Sequence, residues 1–594
     1  MWNFAGRQDD YQGTFENQKM NGDWLTGISV VDNARLGSQV GLPKQIADQK
    51  ARNTYYLLPL LFGLFGLSYM MQRNKQYAIV FGLLFLITGL FLIIYFNSPP
   101  REPRERDYVF AGSFFTFCIW IGLAIAAAYD SLQNTKIPKI PLAVGLTLLG
   151  FVLVPFIMAK ENYDDHNRHD RYMARDFASN YLESCPPNSI LVSSGDNDTY
   201  PLWYAQEVDG IRTDVRVMNT SLLQIDWYIN NMRHKANLSD PLPFFDAFKP
   251  STYLGDARVY TVINTSSGMV PENEYVDVRK VMEFVTSDNP GAKVSLQSGD
   301  RVNFFPTKKL KMPVDKAAVL KAGIIPAGME NNIVDTIYWE LPGNIVMKDE
   351  LAMLMLIASG DWTRPLCFSN TTPSSKYLGL DKYMIQEGLM FRFLPIRFEE
   401  NNRGSIAVND TKFLDVLQNK FKYGNIDKHE MFVDENSARM MNILKMSELR
   451  LAEDLTIKQK NDDALKVLNH IKDKFLYVNA PYYSPYNGYF NIFNMRWIEL
   501  YYRSGHSEAA VEVYTKFIED LADCIRFYQL PNSFAKRYQS ELEASKQFVQ
   551  TLDQIAMTFK DEKLKSLLEK KFPELVSANS NTPSPQQILN LENN

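Results

Sequence analysis

The sequence predicts a multi-domain membrane protein, with a bundle of four transmembrane α-helices, then a soluble α/β domain, then a C-terminal helical region with repeat-like spacing. Three observations carry that prediction. Residues 54–160 hold four nearly charge-free runs, a strand–loop–helix–strand pattern begins near residue 190, and helical periodicity takes over from about residue 437. The domain bounds that follow are 1–53, 54–160, 161–435, 436–575 and a polar tail, 576–594, whose composition suits disorder.

The apolar runs are 54–71, 77–96, 109–129 and 140–159, each close to the roughly 20 residues a helix needs to cross the hydrocarbon core. Short polar turns, QRNKQ and DSLQNTKIPK, join the first run to the second and the third to the fourth. Four spans place the N-terminal segment, the 97–108 loop and everything after residue 160 on one side. Near the span ends, that side carries Lys44, Lys50, Arg52, Arg101, Arg104, Arg106, Lys160 and Arg168. The two turns carry only Arg73, Lys75, Lys136 and Lys139, so the positive-inside rule alone puts the soluble region in the cytoplasm. The overall net charge of −5 gives no reason to expect a nucleic acid partner.

Between the second and third runs lies NSPPREPRERDY. Pro99, Pro100 and Pro103 stop the second helix and favour an extended interfacial loop. Arg101, Arg104 and Arg106 can there present forked donors at headgroup depth, suited to a lipid-linked phosphate. Glu102, Glu105 and Asp107 would orient those arginines or help hold a divalent cation. The plainer reading is an interfacial loop whose charges pair with one another and with lipid headgroups.

After the last span, His166 and His169 stand three apart among aspartates, a spacing that also suits a solvated polar face, and no metal site is assigned. Residues 190–193 read as a buried strand, GDND as a turn, 200–208 as a short helix and 215–218 as a second strand. A right-handed crossover and a parallel sheet follow. Asp196 and Asp198 fall at the end of the first strand, where such sheets place ligands, and are candidates for contact with a sugar hydroxyl or a cation. A helix-capping turn fits the same residues. The sheet is expected to continue through VYTVIN and VSLQ to LCFSN, with KDELAMLMLIASGDW as an amphipathic helix ending at glycine. The sequence has no nucleophile elbow, phosphate-binding glycine loop or HExxH, so no catalytic residue is assigned.

In the helical region NDDALKVLNHIKDKF and HSEAAVEVYTKFIEDL match, with Ala464 facing Ala510, and WIELYYRSG is similar to the spacing of tetratricopeptide repeats. Such hairpins dock a protein partner or simply pack on the α/β domain. Cys118, Cys185, Cys367 and Cys524 are far apart and form no CxxC pair, which leaves a long-range disulfide open.

The stretches MWNFAGRQDD, PREPRERDYVFAGSF, YMARDFASNYL and GDNDTYPLWYAQEVDGIRTDVRV resemble a bacterial family of large inner-membrane proteins. The membrane half of that family looks like protein O-mannosyltransferases of the GT-C glycosyltransferase class. The resemblance implies a polyprenyl-phosphate-linked sugar as substrate and a periplasmic placement for residues 1–53 and 161–594, against the Lys/Arg count. It also implies a departure. Family members carry further spans before the MWNFAGRQ stretch, and the catalytic carboxylate lies there. The chain is therefore expected to be the C-terminal part of such an enzyme, truncated or split and incomplete by itself. The alternative is a non-catalytic, membrane-anchored binding or scaffold protein.

Overall fold

The computed structural model describes residues 2–9, 24–97, 106–254, 259–296, 299, 301–398, 406–485, 488–531 and 535–576. The chain forms two compact units, one of residues 1–171, 428–442 and 468–594, the other of residues 172–427 and 443–467.

In the first unit, α1 (Leu58–Arg73), α2 (Lys75–Phe96), α3 (Ala111–Leu132) and α4 (Lys139–His166) arise from the four apolar runs. Among the described residues, three helices are long and apolar enough to cross a membrane: Lys75–Phe96, Asp107–Leu132 and Lys139–His166. The first run is shorter than its composition implies. Asn53–Thr54 pair as an antiparallel strand with Gly6–Arg7, and Tyr56 and Leu57 take left-handed backbone angles. Only 16 residues remain for α1, about 24 Å of helix against a hydrocarbon core of about 30 Å. Pro155 falls within a π-helical turn of α4, Val152–Phe156, which takes up the missing backbone donor. The outer face of α2, with Ile79, Val80, Leu83, Ile87, Phe91 and Ile94 exposed, suits lipid contact.

The helices approach closely where side chains are small. A Cβ on Gly66 would lie 1.7 Å from the Trp120 carbonyl oxygen, and one on Gly63 would lie 2.3 Å from the Phe117 ring, so α1 rests directly on α3. Tyr69 donates to Asp130 Oδ2 at 2.5 Å and Arg73 pairs with the same carboxylate, fixing the far ends of those two helices.

The second unit is α/β. After α5 (Met173–Ser184), β1 (Ile190–Ser193), α6 (Asp196–Glu207) and β2 (Arg216–Asn219) form the expected unit, and β1 and β2 pair in parallel. α6 starts four residues earlier than the sequence pattern indicates, so GDND forms its cap and first turn. The sheet differs from expectation in its continuation. The LCFSN strand, β3 (Leu366–Ser369), pairs directly with β1, and β4 (Met384–Glu387), β5 (Met390–Phe393) and β6 (Ala407–Val408) complete the order β6-β4-β5-β3-β1-β2. VYTVIN and VSLQ contribute instead to a separate four-stranded sheet, through Tyr260–Ile263 and Lys293–Ser295.

Strand periodicity reports a strand's faces and leaves its neighbours open. The helix α7 (Lys348–Ser359) ends at Gly360 in the left-handed conformation, as its sequence indicates, but it is buried nearly all round. It is a core helix in an apolar cluster with Phe305, Trp339 and Phe368. Asp349, at its start, is buried against Lys376 at 2.7 Å.

Helices α8 (Asp410–Asn419), α9 (Glu435–Ile457) and α10 (Asn461–Lys474) lead into α11 (Gly488–Arg503), α12 (Ser507–Tyr528), α13 (Gln539–Phe559) and α14 (Glu562–Lys571). Both matched alanines, Ala464 and Ala510, are fully buried. Trp497 donates its indole N–H to the Leu468 carbonyl at 3.2 Å, locking α11 onto α10.

Candidate functional site

The N-terminal WNFAGR stretch is held by the helical bundle. Trp2–Ala5 form one helical turn, and Gly6–Arg7 add the short strand beside Asn53–Thr54. Gly6 is required there, since its φ is 119° and a Cβ would lie 2.1 Å from the Leu25 carbonyl oxygen. The Phe4 ring packs on Phe117 of α3 at 4.2 Å between centroids. The buried Asp32 closes the following loop by accepting from the Thr26 and Gly27 amides at 2.9 and 2.8 Å.

The same strand pair ties to the end of α4. Thr54 donates its amide to Glu161 at 3.2 Å, and Asn53 donates to Asn162 at 3.0 Å and to Asp165 at 3.2 Å. The Tyr55 hydroxyl donates to Asn162 Oδ1 at 2.7 Å, leaving that carboxamide oxygen with two donors. Asp165 is buried and also faces His166 Nδ1 at 2.9 Å. His169 sits beside Asp170 at 3.1 Å, so the two histidines contact different carboxylates.

These segments enclose a cavity of about 330 Å³. Its polar wall is Asn3, Arg7, Asp107, Asn162 and His166, and its aromatic wall is Trp2, Phe4, Tyr55 and Phe114, with Cys118 and Met158 completing the lining. The start of α3 and the end of α4 both border it, so it lies at the end of the bundle where the 97–108 loop joins α3. One guanidinium, one carboxylate, two carboxamides and an imidazole against ring faces can bind a polyhydroxylated or phosphorylated group. A pocket beside Asp361, Trp362 and Arg364 in the other unit has only about 30 Å³ and admits little beyond water.

Of the charged loop residues picked out from the sequence, Arg101, Glu102, Arg104 and Glu105 lie outside the described residues. Arg106 is exposed and caps the 3₁₀ turn Asp107–Phe110, and Asp107 reaches the cavity wall. Asp196 and Asp198 both fall in the first turn of α6. Asp196 is exposed, whereas Asp198 Oδ2 accepts from the Thr371 hydroxyl at 2.5 Å. Thr371 belongs to a hydroxyl network with Ser369 at 2.9 Å and with Tyr181 at 3.3 Å. Asp198 thus joins the loop after β3 to α6. Trp2, Asn3, Arg7 and Asn162 are cavity residues that the sequence alone does not single out. The first three lie in the polar and aromatic WNFAGR stretch, and only its pairing with Asn53–Thr54 brings it to α4.

Residues 174–413 match the family model described as TMEM260-associated domain 2. Over 191 residues the chain is 25% identical to the protein O-mannosyl-transferase tmem260 of Dictyostelium discoideum, a match covering 29% of this chain and 22% of that protein. The chain thus spans about a fifth of the length of that curated relative. No solved structure matches.

Proposed function

We propose that this chain forms part of a membrane glycosyltransferase that uses a sugar carried on a polyprenyl phosphate. The cavity of about 330 Å³ at the end of the bundle carries the reading, because it joins the WNFAGR stretch, Asp107 at the edge of the arginine-rich loop and the end of α4. In this reading Arg101, Arg104 and Arg106 hold the carrier phosphate, with Glu102, Glu105 and Asp107 orienting them or sharing a divalent cation. The sugar lies against Trp2 and Tyr55 and hydrogen-bonds with Asn162 and Arg7. The similarity to a protein O-mannosyl-transferase supports the reaction class.

The same proposal places residues 1–53 and 161–594 on the external face of a bacterial inner membrane, where such carriers present their sugars. It takes α1 as a fourth, short span, accommodated by local thinning of the bilayer.

The test is carrier binding by the full chain in nanodiscs, read by native mass spectrometry with a short polyprenyl-phosphate mannose. Arg104→Ala with Arg106→Ala should weaken retention at least tenfold, and Asn162→Ala should weaken the sugar-bearing carrier more than the bare polyprenyl phosphate. Unchanged retention in the arginine double variant would refute the site.

A further inference from the structure

His166 ends α4 and lines the cavity, and its two ring nitrogens have different surroundings. Nδ1 lies 2.9 Å from Asp165 Oδ1 and 3.1 Å from the Asn162 carbonyl oxygen one turn earlier. A carboxylate and a carbonyl only accept, so Nδ1 carries the proton and shares it between them. The buried Asp165 is fixed in turn. Its Oδ2 accepts from Asn53 Nδ2 at 3.2 Å, and its backbone carbonyl accepts from Arg168 Nη1 at 2.9 Å. Nε2 is left with its lone pair and has no hydrogen-bond partner among the described residues.

The neighbouring groups on the wall are more heavily engaged. Asn162 Oδ1 already accepts from the Tyr55 hydroxyl at 2.7 Å and from Asn53 at 3.0 Å, and Asn162 Nδ2 donates to the Met158 carbonyl at 2.6 Å. One N–H of Asn162 remains for a ligand, and the Arg7 guanidinium can only donate. A sugar hydroxyl needs acceptors as well as donors. Nε2 supplies a neutral one, on a ring held in a single orientation by two hydrogen bonds and backed by a buried carboxylate.

We infer that His166 is a specificity-determining residue of this cavity, with Nε2 accepting a hydrogen bond from a hydroxyl of the bound sugar and Asp165 acting as the positioning residue that fixes the ring. The inference rests on the carrier reading above and names the acceptor that recognises the sugar. A carrier stripped of its sugar makes no bond to Nε2. The Asp165–His166 pair therefore acts on the ratio of mannosylated to bare carrier, whereas arginines that hold the phosphate act on both carriers alike.

The full chain in nanodiscs is titrated at pH 8.5, which favours the neutral imidazole, with a short polyprenyl-phosphate mannose and with the bare polyprenyl phosphate, and retention is read by native mass spectrometry. Wild type is expected to prefer the mannosylated carrier. His166→Asn keeps an N–H for Asp165 but places nothing at Nε2, and should lower that preference about fivefold, the weight of one hydrogen bond. His166→Gln reaches the Nε2 position and should keep most of it. Asp165→Ala should lower it by a smaller factor, and an unchanged preference there would remove Asp165 as the positioning residue. Equal preferences in the two His166 variants, or none in the wild type, overturn the role of Nε2. Loss of both carriers together in the arginine double variant bears on the phosphate site alone. If wild type retains neither carrier, the carrier reading fails, and the His166 variants are compared by saturation-transfer NMR with methyl α-mannoside. Transfer that persists in His166→Gln and falls in His166→Asn supports the sugar contact; no transfer from wild type overturns it as well.

Discussion

Asp520 on α12 shows what a single buried carboxyl does in the helical region. Burial pushes it up to about 6, against the opposing effect of the Tyr477 hydroxyl, which donates to Oδ1 at 2.5 Å. Weaker opposition comes from the Tyr483 amide and from the side chain of Gln45 in the N-terminal segment, which also donates to the Tyr483 carbonyl at 2.7 Å, and burial outweighs all three. The folded carboxyl keeps its proton to about pH 6, whereas the unfolded one releases it near pH 4. Stability is therefore greatest below the unfolded value and falls as pH rises through that window, by on the order of 2 kcal/mol. Asp520→Asn should abolish this decline, so its advantage over wild type grows from pH 4.5 to 6.5 in thermal unfolding of the full chain. A difference independent of pH would count against the assignment. The sequence marked Asp520 only as one acidic residue on a helix, since its burial depends on partners about 40 and 475 residues away in the chain.

Among the elements, α1 and α3 carry the clearest packing signature. The backbone contact at Gly66 leaves no room for a side chain, so Gly66→Leu must force the helices apart. The cost should be about 1–3 kcal/mol, the usual penalty of overpacking. Gly82 on α2 has open space around its Cβ position and serves as the comparison. In detergent, Gly66→Leu should lower the unfolding midpoint by several degrees while Gly82→Leu leaves it in place; equal effects would remove the argument for close packing. Glycine within an apolar run is visible in the sequence, but which glycine meets a neighbouring helix is not. The same limit applied to the strands. Residues 190–193 and 215–218 announced a parallel pair through the short helix between them. The membership of 260–263 and 366–369 in different sheets had no such local signal.

For the whole molecule, the two readings of topology differ in the side of the membrane to which they assign residues 1–53 and 161–594. The positive-inside count points to the cytoplasm, and the proposed carrier chemistry to the exterior. A chain carrying Ser580→Cys in a Cys118→Ser background, probed in intact cells with an impermeant maleimide, separates them. Labelling before lysis is expected; protection until lysis would remove the external placement and with it the glycosyltransferase reading.

By itself, the sequence determined the division into an apolar helical part, an α/β part and a helical part. It also determined the proline-terminated end of the second span, the β1–α6–β2 unit and the glycine end of α7. All of these rest on hydrophobic periodicity and on backbone restrictions that act within a few residues. Tertiary structure decided that Gly6–Arg7 pair with Asn53–Thr54 and shorten α1, and that Asp107, Arg7 and Asn162 border one cavity. Those contacts join segments separated by tens to hundreds of residues. They are selected by how well whole faces pack and how many buried polar groups find partners, and no local pattern encodes either quantity.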